Sequence, residues 1–553
     1  MTSDRKWWKE RVIYQIYPRS FMDSNHDGIG DINGITSKLD YLKNLGIGII
    51  WISPCFASPN ADHGYDISDY RAIMEEFGSM DDFNCMLEEA HKRGIRIVLD
   101  LVVNHSSDEH PWFIESRKSV DNPYRDYYIW KKGKVGEDGT MKEPNNWGSF
   151  FTPSAWQYDE KTGEYYLHLF SKKQPDLNWD NQQLRKEIYD MMHFWLSKGV
   201  DGFRMDVLNC YQKPEGLPDS KILGTCVEGY SLDPKLYANN IGMLSILNEM
   251  REQVLDHYDT VTVGETSIIT PQIALDYVNE INGPLDMIFH FDVVDSKKHF
   301  TWKHFKEVQR KWIKELTNGG GWNSQYFQNH DQPRCVTMYG DDSTERNRVL
   351  SAKMLGCLNH TMPGTPFVYQ GEELGMTNYN YVDAEQMQDP NATFNYNEMI
   401  ACGKSHEEAM KVLNLYGRAH SRTPMQWDDS LHAGFSAGTP WQVVHPNYTS
   451  INAKYEIEDK ESVYHFYKSL IDLRRRHLVL VYGDFQEYEE ENDSVFLYSR
   501  AYDNETIMVL INFTVKDQTI QYEIPAGKTV LLSNYKEGYC NRLRPFEATI
   551  FQL

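Results

Sequence analysis

Helix-spaced apolar residues, followed by glycine and then by an unbroken apolar run, recur along this chain. The pattern appears at Leu39, Leu42 and Leu45, then Gly46 and Ile49-Ile50-Trp51-Ile52. It returns at Phe83, Met86, Leu87 and Ala90, then Gly94 and Ile97-Val98-Leu99, and at Leu184, Ile188, Met191 and Trp195, then Gly199 and Phe203-Arg204-Met205. Spacings of three and four line one helix face, and glycine supplies the left-handed cap before the chain turns back. Runs rich in Ile, Val and Phe read as strands buried on both faces, so the alternation predicts a parallel sheet covered by helices. Eight candidate strands follow, at 12–17, 49–52, 97–103, 202–206, 261–265, 287–291, 326–329 and 367–370.

Polar residues stand at the ends of five of these eight runs: Asp100, Asn104 and His105 after the third, Asp206 after the fourth, Glu265 after the fifth, His330 and Asp331 after the seventh, and Glu372 after the eighth. An open doubly wound sheet would gather its ligand at one switch point. Polar residues at most strand ends predict instead a closed α/β barrel, the (β/α)8 or TIM fold, with its site at the C-terminal mouth. Residues 105–175 interrupt the barrel after its third strand and are too many for an ordinary βα loop. This stretch carries Trp112, Tyr127, Trp130, Trp147, Phe151 and Trp156, and reads as an inserted lid domain on the mouth. Beyond the last barrel helix, near 463–475, short alternating runs at 494–498 and 507–511 predict an antiparallel β domain at the C-terminus. The expected division is a barrel over 1–104 and 176–480, a lid over 105–175, and a C-terminal domain over 481–553.

A chain of 553 residues exceeds what one hydrophobic core covers, in keeping with a large domain plus appended ones. The net charge of -24, from 56 basic and 80 acidic residues, repels phosphate backbones and anionic lipid. No Lys/Arg stripe offsets it, which argues against nucleic acid and membrane partners. The first residues lack the apolar core of a signal peptide, and no run of eighteen apolar residues occurs, so a cytoplasmic protein is expected, monomeric or weakly self-associating. The eight cysteines show no C-x-x-C pair and read as packing thiols.

Asp206, Glu265 and Asp331 each end an apolar run, and any one alone reads more readily as a helix cap. Three together suit glycosidic cleavage, which needs one carboxyl to donate a proton while another supplies electrons to a carbon becoming cationic. Arg204 lies two residues before Asp206, on the same strand face, where a guanidinium can hold that carboxylate ionised and aimed. His105 and His330, beside Asn104 and Asp331, are donors suited to sugar hydroxyls.

Asp100-Leu101-Val102-Val103-Asn104-His105, Gly202-Phe203-Arg204-Met205-Asp206, Val263-Gly264-Glu265 and Asn329-His330-Asp331 resemble, in order and spacing, the four sequence regions of the alpha-amylase family, glycoside hydrolase family 13. The resemblance covers essentially the whole chain. It implies a retaining mechanism with Asp206 as nucleophile, Glu265 as acid and then base, and Asp331 as the third carboxylate. Asp100 and Arg204 would support the nucleophile, and His105 and His330 would bind hydroxyls. Asp62-His63-Gly64-Tyr65-Asp66, Gln174-Pro175-Asp176-Leu177-Asn178-Trp179 and Ser421-Arg422-Thr423-Pro424-Met425-Gln426-Trp427 are similar to the oligo-1,6-glucosidase and alpha-glucosidase branch. There Asp62 and Arg422 would clasp the terminal glucose as a charged pair, Tyr65 would stack on its ring, and Gln174 and the lid residue Phe151 would join the substrate site, giving an exo-acting enzyme.

Val207, next to the nucleophile, matches the residue found in readers of α-1,6 bonds. The activity implied is removal of terminal α-1,6-linked glucose from isomaltose and related oligosaccharides. Three alternatives stand beside it: a sucrose- or isomaltulose-active glucosidase or isomerase, a trehalose-6-phosphate hydrolase, and a barrel used only for binding. Val293-Val294-Asp295-Ser296-Lys297-Lys298 lacks the arginines of the isomerases, and Thr266-Ser267 departs from the residues common after the acid in oligo-1,6-glucosidases. Finally, Asp23, Asn25, Asp27, the Ile29 carbonyl and Asp31 follow an EF-hand loop with Gly28 at its sixth place but Gly34 where the closing Glu would stand. The branch binds calcium at this loop, so a structural Ca2+ is expected, remote from the chemistry.

Overall fold

A computed structural model describes residues 5–136, 139–222, 229–537 and 542–553. Its centre is a ring of eight parallel strands: β1 (Ile13–Ile16), β2 (Ile49–Ile52), β3 (Arg96–Leu101), β4 (Gly202–Met205), β5 (Val261–Thr266), β6 (Met287–His290), β7 (Ser324–Gln325) and β8 (Thr365–Tyr369). Hydrogen bonding orders them β6-β5-β4-β3-β2-β1-β8-β7, and a parallel bridge from Ile288 to Asn323 brings β6 to the start of β7 and closes the ring. The fold is the expected (β/α)8 barrel.

Period-two geometry sorts the strand residues between two cores. Ile13, Ile49, Trp51, Val98, Val261, Val263, Met287, Phe289 and Phe367 pack on one another inside the ring. Their neighbours Tyr14, Ile50, Ile97, Leu99, Phe203, Met205, Ile288 and Val368 face the helices. Phe289 and Phe367 meet edge to face at 4.5 Å, with Trp51 at 5.7 Å from Phe289, so aromatic rings plug the barrel beneath the mouth. Where β4 begins, only glycine fits: at Gly202 (φ 153°) a Cβ would lie 1.9 Å from the Val261 carbonyl oxygen.

The helices start and stop where the sequence says they should. Met80–Lys92 opens on a reciprocal capping box between Ser79 and Asp82 and buries Phe83, Met86, Leu87 and Ala90. Gln182–Ser197 opens on Asn181, whose side chain accepts from the amides of Gln183 and Leu184, and buries Leu184, Ile188, Met191 and Trp195. Leu39–Leu45 ends on Gly46 at φ 105°.

One strand is misplaced by sequence. The run at 326–329 was expected to be β7, but pairing occurs at Ser324–Gln325. From Tyr326 onward side chains take over the ladder bonds: Tyr326 OH donates to the His290 carbonyl, Gln328 Oε1 accepts from the Cys335 amide, and Asn329 Oδ1 accepts from the Asp331 amide. His330 and Asp331 therefore sit on a loop that rises from the barrel rather than at a strand end.

Between β3 and the helix Gln182–Ser197, the insert forms a three-stranded antiparallel sheet from Trp130–Lys131, Trp156–Asp159 and Glu164–Leu167. Bridges from His105 to Asp176 and from Tyr128 to Leu177 draw its two ends together. Five antiparallel strands, Asp484–Tyr488, Val495–Tyr502, Glu505–Asn512, Thr529–Ser533 and Ala548–Gln552, make the C-terminal sheet. Among the described residues Cys55, Cys85, Cys210, Cys335 and Cys357 are free thiols, and no helix is long and apolar enough to cross a membrane.

Candidate active site

The register of the central strands brings the carboxylates together. Arg204 on β4 lies opposite Asp100 on β3 and Val263 on β5, so the positions two residues further on set Asp206 against Glu265. Arg204 is 1% exposed and joins all three acids. Its Nη1 donates to Asp100 Oδ1 and Asp206 Oδ1, each at 2.7 Å, and its Nη2 lies 2.6 Å from Glu265 Oε2. The guanidinium stands 5.1 Å over the Trp51 ring, so the aromatic plug of the barrel is also the floor of the site. Trp51 Nε1 and Tyr65 OH donate to the other oxygen of Asp100, at 3.2 and 3.1 Å.

One cation among three buried acids leaves negative charge in excess. Burial pushes Asp206 well above the usual carboxylate range; Arg204 opposes this, and the charges of Glu265 and Asp100 reinforce it. Burial likewise raises Asp100 against the pull of Arg204. Asp206 also hydrogen-bonds to the Glu265 carboxyl, which raises it further.

Asp331 is the opposite case. Burial would raise it, but His330, Arg418 and Arg422 outweigh burial and hold it well below the ordinary range. Its Oδ1 accepts from Arg418 Nη1 at 3.0 Å and Arg422 Nη2 at 2.8 Å. Two carboxyls gathered at one guanidinium beside a fixed anion are the set that acid-assisted cleavage through a cationic transition state needs.

The other anticipated residues surround this set. His330 Nε2 lies 2.6 Å from Tyr65 OH, and the two rings stack at 5.3 Å, so Tyr65 stacks on His330 in this structure. Gln174 Nε2 donates to Asp62 Oδ2 at 3.1 Å and lies 3.2 Å from His105 Nε2. Burial pushes the His105 imidazole down to about 4, which keeps it neutral near pH 7. Phe151, from the insert, lies under the Arg418 guanidinium at 5.5 Å.

Asp62 makes its ion pair with Arg418, at 3.0 Å, and not with Arg422, which bonds Asp331 and the His330 carbonyl. Arg418 also grips Asp389 at 2.7 Å, and this pull overcomes burial to hold Asp389 near 2. Sequence reasoning missed both residues. Arg418 lies four residues before Arg422, at the other end of the short helix Arg418–Arg422, and two arginines so close in sequence could have signalled a pair. Asp389 caps the helix Pro390–Ala401 and carries no such mark.

Two loops at the mouth are locked by strained backbone. Val207 adopts φ 36°, ψ 42°, which is costly for a β-branched residue, and this aims its amide at Glu265 Oε2, 3.0 Å away. Ile268, beyond the acid, is also left-handed at φ 48°, as is Asn239 at φ 58°. Fully buried Asn209 donates through Nδ2 to Asn239 Oδ1 at 3.0 Å and to the Ser267 carbonyl at 2.5 Å, while Asn239 Nδ2 donates to the Ile268 carbonyl at 2.8 Å. The loop after Asp206 is thereby tied to the loop after Glu265.

The loop expected to hold calcium is closely turned. Asp23 accepts from the amides of Asn25, His26 and Gly28, and Asn25 Nδ2 lies 3.1 Å from Asp27 Oδ2. Asp31 differs from expectation: its oxygens accept from Ser24 and Gly34, capping the helix Ile32–Ser37. Among the described residues no three acidic, His or Cys side chains gather as a metal cluster. Asp23 already accepts four hydrogen bonds, the fourth from the Ser436 hydroxyl, so among the expected ligands Asn25, Asp27 and the Ile29 carbonyl have the oxygens most open to a hard cation.

The family model described as the alpha-amylase catalytic domain matches residues 15–483. The chain belongs to the alpha-amylase family. Within this family it is 51% identical to an oligo-1,6-glucosidase of Parageobacillus thermoglucosidasius, over 100% of this chain and 99% of the relative. Identity to an oligo-1,6-glucosidase of Bacillus cereus is 50%, over 100% of both chains. Among solved structures, the trehalulose synthase of Pseudomonas mesoacidophila MX-45 superimposes with a TM-score of 0.91 at 41% identity, covering 99% of each chain.

In this alpha-amylase family member, the buried asparagine clasp is expected to aim Glu265. Asn209→Ala should lower kcat on an alkyl α-glucoside by about ten- to a hundredfold. Hydrolysis of α-glucosyl fluoride, whose leaving group needs little protonation, should stay within about twofold of the parent rate. Equal losses on both substrates would contradict the assignment.

Proposed function

We propose that the chain is a retaining, exo-acting α-glucosidase that releases terminal α-1,6-linked glucose from isomaltose and isomalto-oligosaccharides in the cytoplasm. The observation that carries this reading is Asp206 and Glu265 on the two arms of one buried guanidinium. Asp206 attacks the anomeric carbon while Glu265 protonates the departing oxygen; Glu265 then activates the water that frees glucose from the covalent intermediate. Carboxyls that touch in the resting site are readily parted to the roughly 5 Å that retention requires, whereas inversion requires a wider gap with room for water. Arg204 and Asp100 keep the nucleophile aimed, and ionised Asp331 binds hydroxyls and stabilises developing positive charge.

Enclosure supports the exo assignment. Asp62, Tyr65, His105, Gln174, Arg204, His330 and Arg422 are all buried, and Arg418 ties Asp62 to Asp331 through two ion pairs, an arrangement suited to closing over one terminal sugar. His105, His330, Tyr65, Gln174 and Phe151 offer donors and ring faces to that sugar. Arg418 takes the clasping role first given to Arg422. Val207 and the similarity to proteins named oligo-1,6-glucosidase support the α-1,6 preference.

Proton NMR of isomaltose hydrolysis tests the mechanism: the first glucose released should be the α-anomer, and β-glucose as first product would refute retention. For the loop at Asp23, the proposal is a structural Ca2+ held by Asp23, Asn25, Asp27 and the Ile29 carbonyl. Stripping calcium with EGTA should lower the melting temperature by about 5 °C or more. A Tm unaffected by chelation and by added Ca2+ would remove the ion from the account.

A further inference from the structure

Asp331 is held by Arg418 and Arg422, and both arginines project from one short helix, Arg418–Arg422, that is fastened to the barrel through its backbone. The last carbonyls of a helix have no partner within it. Here each carbonyl from Ala419 to Arg422 accepts from a side chain. Tyr381 OH donates to the Ala419 carbonyl at 3.2 Å, and Ser20 Oγ, on the loop after β1, donates to that of Arg422 at 2.6 Å. Tyr369 OH, at the end of β8, donates to the Ser421 carbonyl at 2.7 Å, and Thr423 Oγ1 donates to that of His420 at 3.0 Å. The His420 and Ser421 carbonyls also meet a guanidinium, that of Arg334.

Arg334 is 0% exposed and has no carboxylate partner among the described residues. Its bonds run to neutral oxygens. Nη1 donates to the Gln370 carbonyl, just beyond β8, at 2.6 Å, and Nε to the His420 carbonyl at 3.2 Å. Nη2 donates to the Ser421 carbonyl at 3.4 Å and to Thr423 Oγ1 at 3.5 Å. Its amide donates to Asn378 Oδ1 at 2.8 Å, which fixes the base of the side chain. A buried cation without an anion is costly, and burial pushes Arg334 below its ordinary range against the pull of Tyr369, Cys335 and Glu373. The rigid fork of an arginine can hold several carbonyls at once, which a lysine ammonium cannot.

Arg334 follows Asp331 by three residues on the loop that leaves β7. One loop therefore presents the acid and grips the main chain of the helix that presents both of its cations, and Ser421 Oγ adds a bond to the Gln332 carbonyl between them. The result is a closed circuit: Asp331 reaches Arg418 and Arg422 through side chains, and their helix returns to Arg334 through carbonyls. We propose that Arg334 is a positioning residue for the reaction: by gripping the His420 and Ser421 carbonyls it sets where Arg418 and Arg422 meet Asp331. This rests on the role given to Asp331 in the function proposed above.

Double-mutant cycles on isomaltose, or on any other α-glycoside the enzyme cleaves, read this coupling. Arg334→Met should lower kcat/KM by about ten- to a hundredfold, the scale of misplacing a catalytic group by about 1 Å. Arg334→Lys keeps the charge but not the fork, and should stay within about threefold of the methionine variant. In Arg418→Ala protein, where the circuit is already cut, Arg334→Met should cost less than about threefold more, whereas its loss should multiply with that of Asn209→Ala, on the loop after Asp206. Should the methionine variant fail to fold, Tyr369→Phe, which removes one hydroxyl from the Ser421 carbonyl, reads the same cycles with a loss of about fivefold. An Arg334→Met enzyme within about twofold of the parent, losses that multiply with Arg418→Ala, or losses that do not multiply with Asn209→Ala would overturn the proposal. Isomaltose left intact while another α-glycoside is cleaved would sink the α-1,6 reading, and the cycles on that glycoside would still decide the coupling.

Discussion

Three acids cannot share a buried site unless something holds them there, and in this chain that constraint falls on Arg204. Its guanidinium bonds Asp100, Asp206 and Glu265 at 2.6–2.7 Å while resting on Trp51. Each partner comes from a different barrel strand, so the parallel register of β3, β4 and β5 is what delivers the three oxygens to one cation. Charge arithmetic follows from that arrangement. One positive group among three acids leaves a local excess of negative charge, and burial together with that excess raises Asp206.

Around this centre Arg418 and Arg422 neutralise Asp62, Asp331 and Asp389, two cations against three acids, so the surroundings of the carboxylates are full of charge yet nearly balanced. Ionised groups held in this way supply strong and directional hydrogen bonds.

Much of this was legible in the sequence because it rests on periodicity and strand ends. The three helix–glycine–strand units gave their helices and β2, β3 and β4 closely, and Arg204 and Asp206, two residues apart, had to share a face. The miss at β7 arose because Gln328 and Asn329 bond their own loop rather than a neighbouring strand, a choice that apolar patterning does not encode. Asp62 was given the wrong arginine for a related reason. Arg418 and Arg422 stand at the two ends of one short helix, and only its three-dimensional path decides which one reaches across. Likewise, the left-handed turn at Val207 breaks a local rule for β-branched residues and is visible only as backbone geometry.

Trapping the intermediate tests the central claim most directly. The enzyme incubated with 5-fluoro-α-glucosyl fluoride, digested and analysed by mass spectrometry, should carry a single fluoroglucosyl ester, on Asp206. An adduct on Glu265 or Asp331, or steady turnover of the reagent with no ester at any stage, would contradict the account.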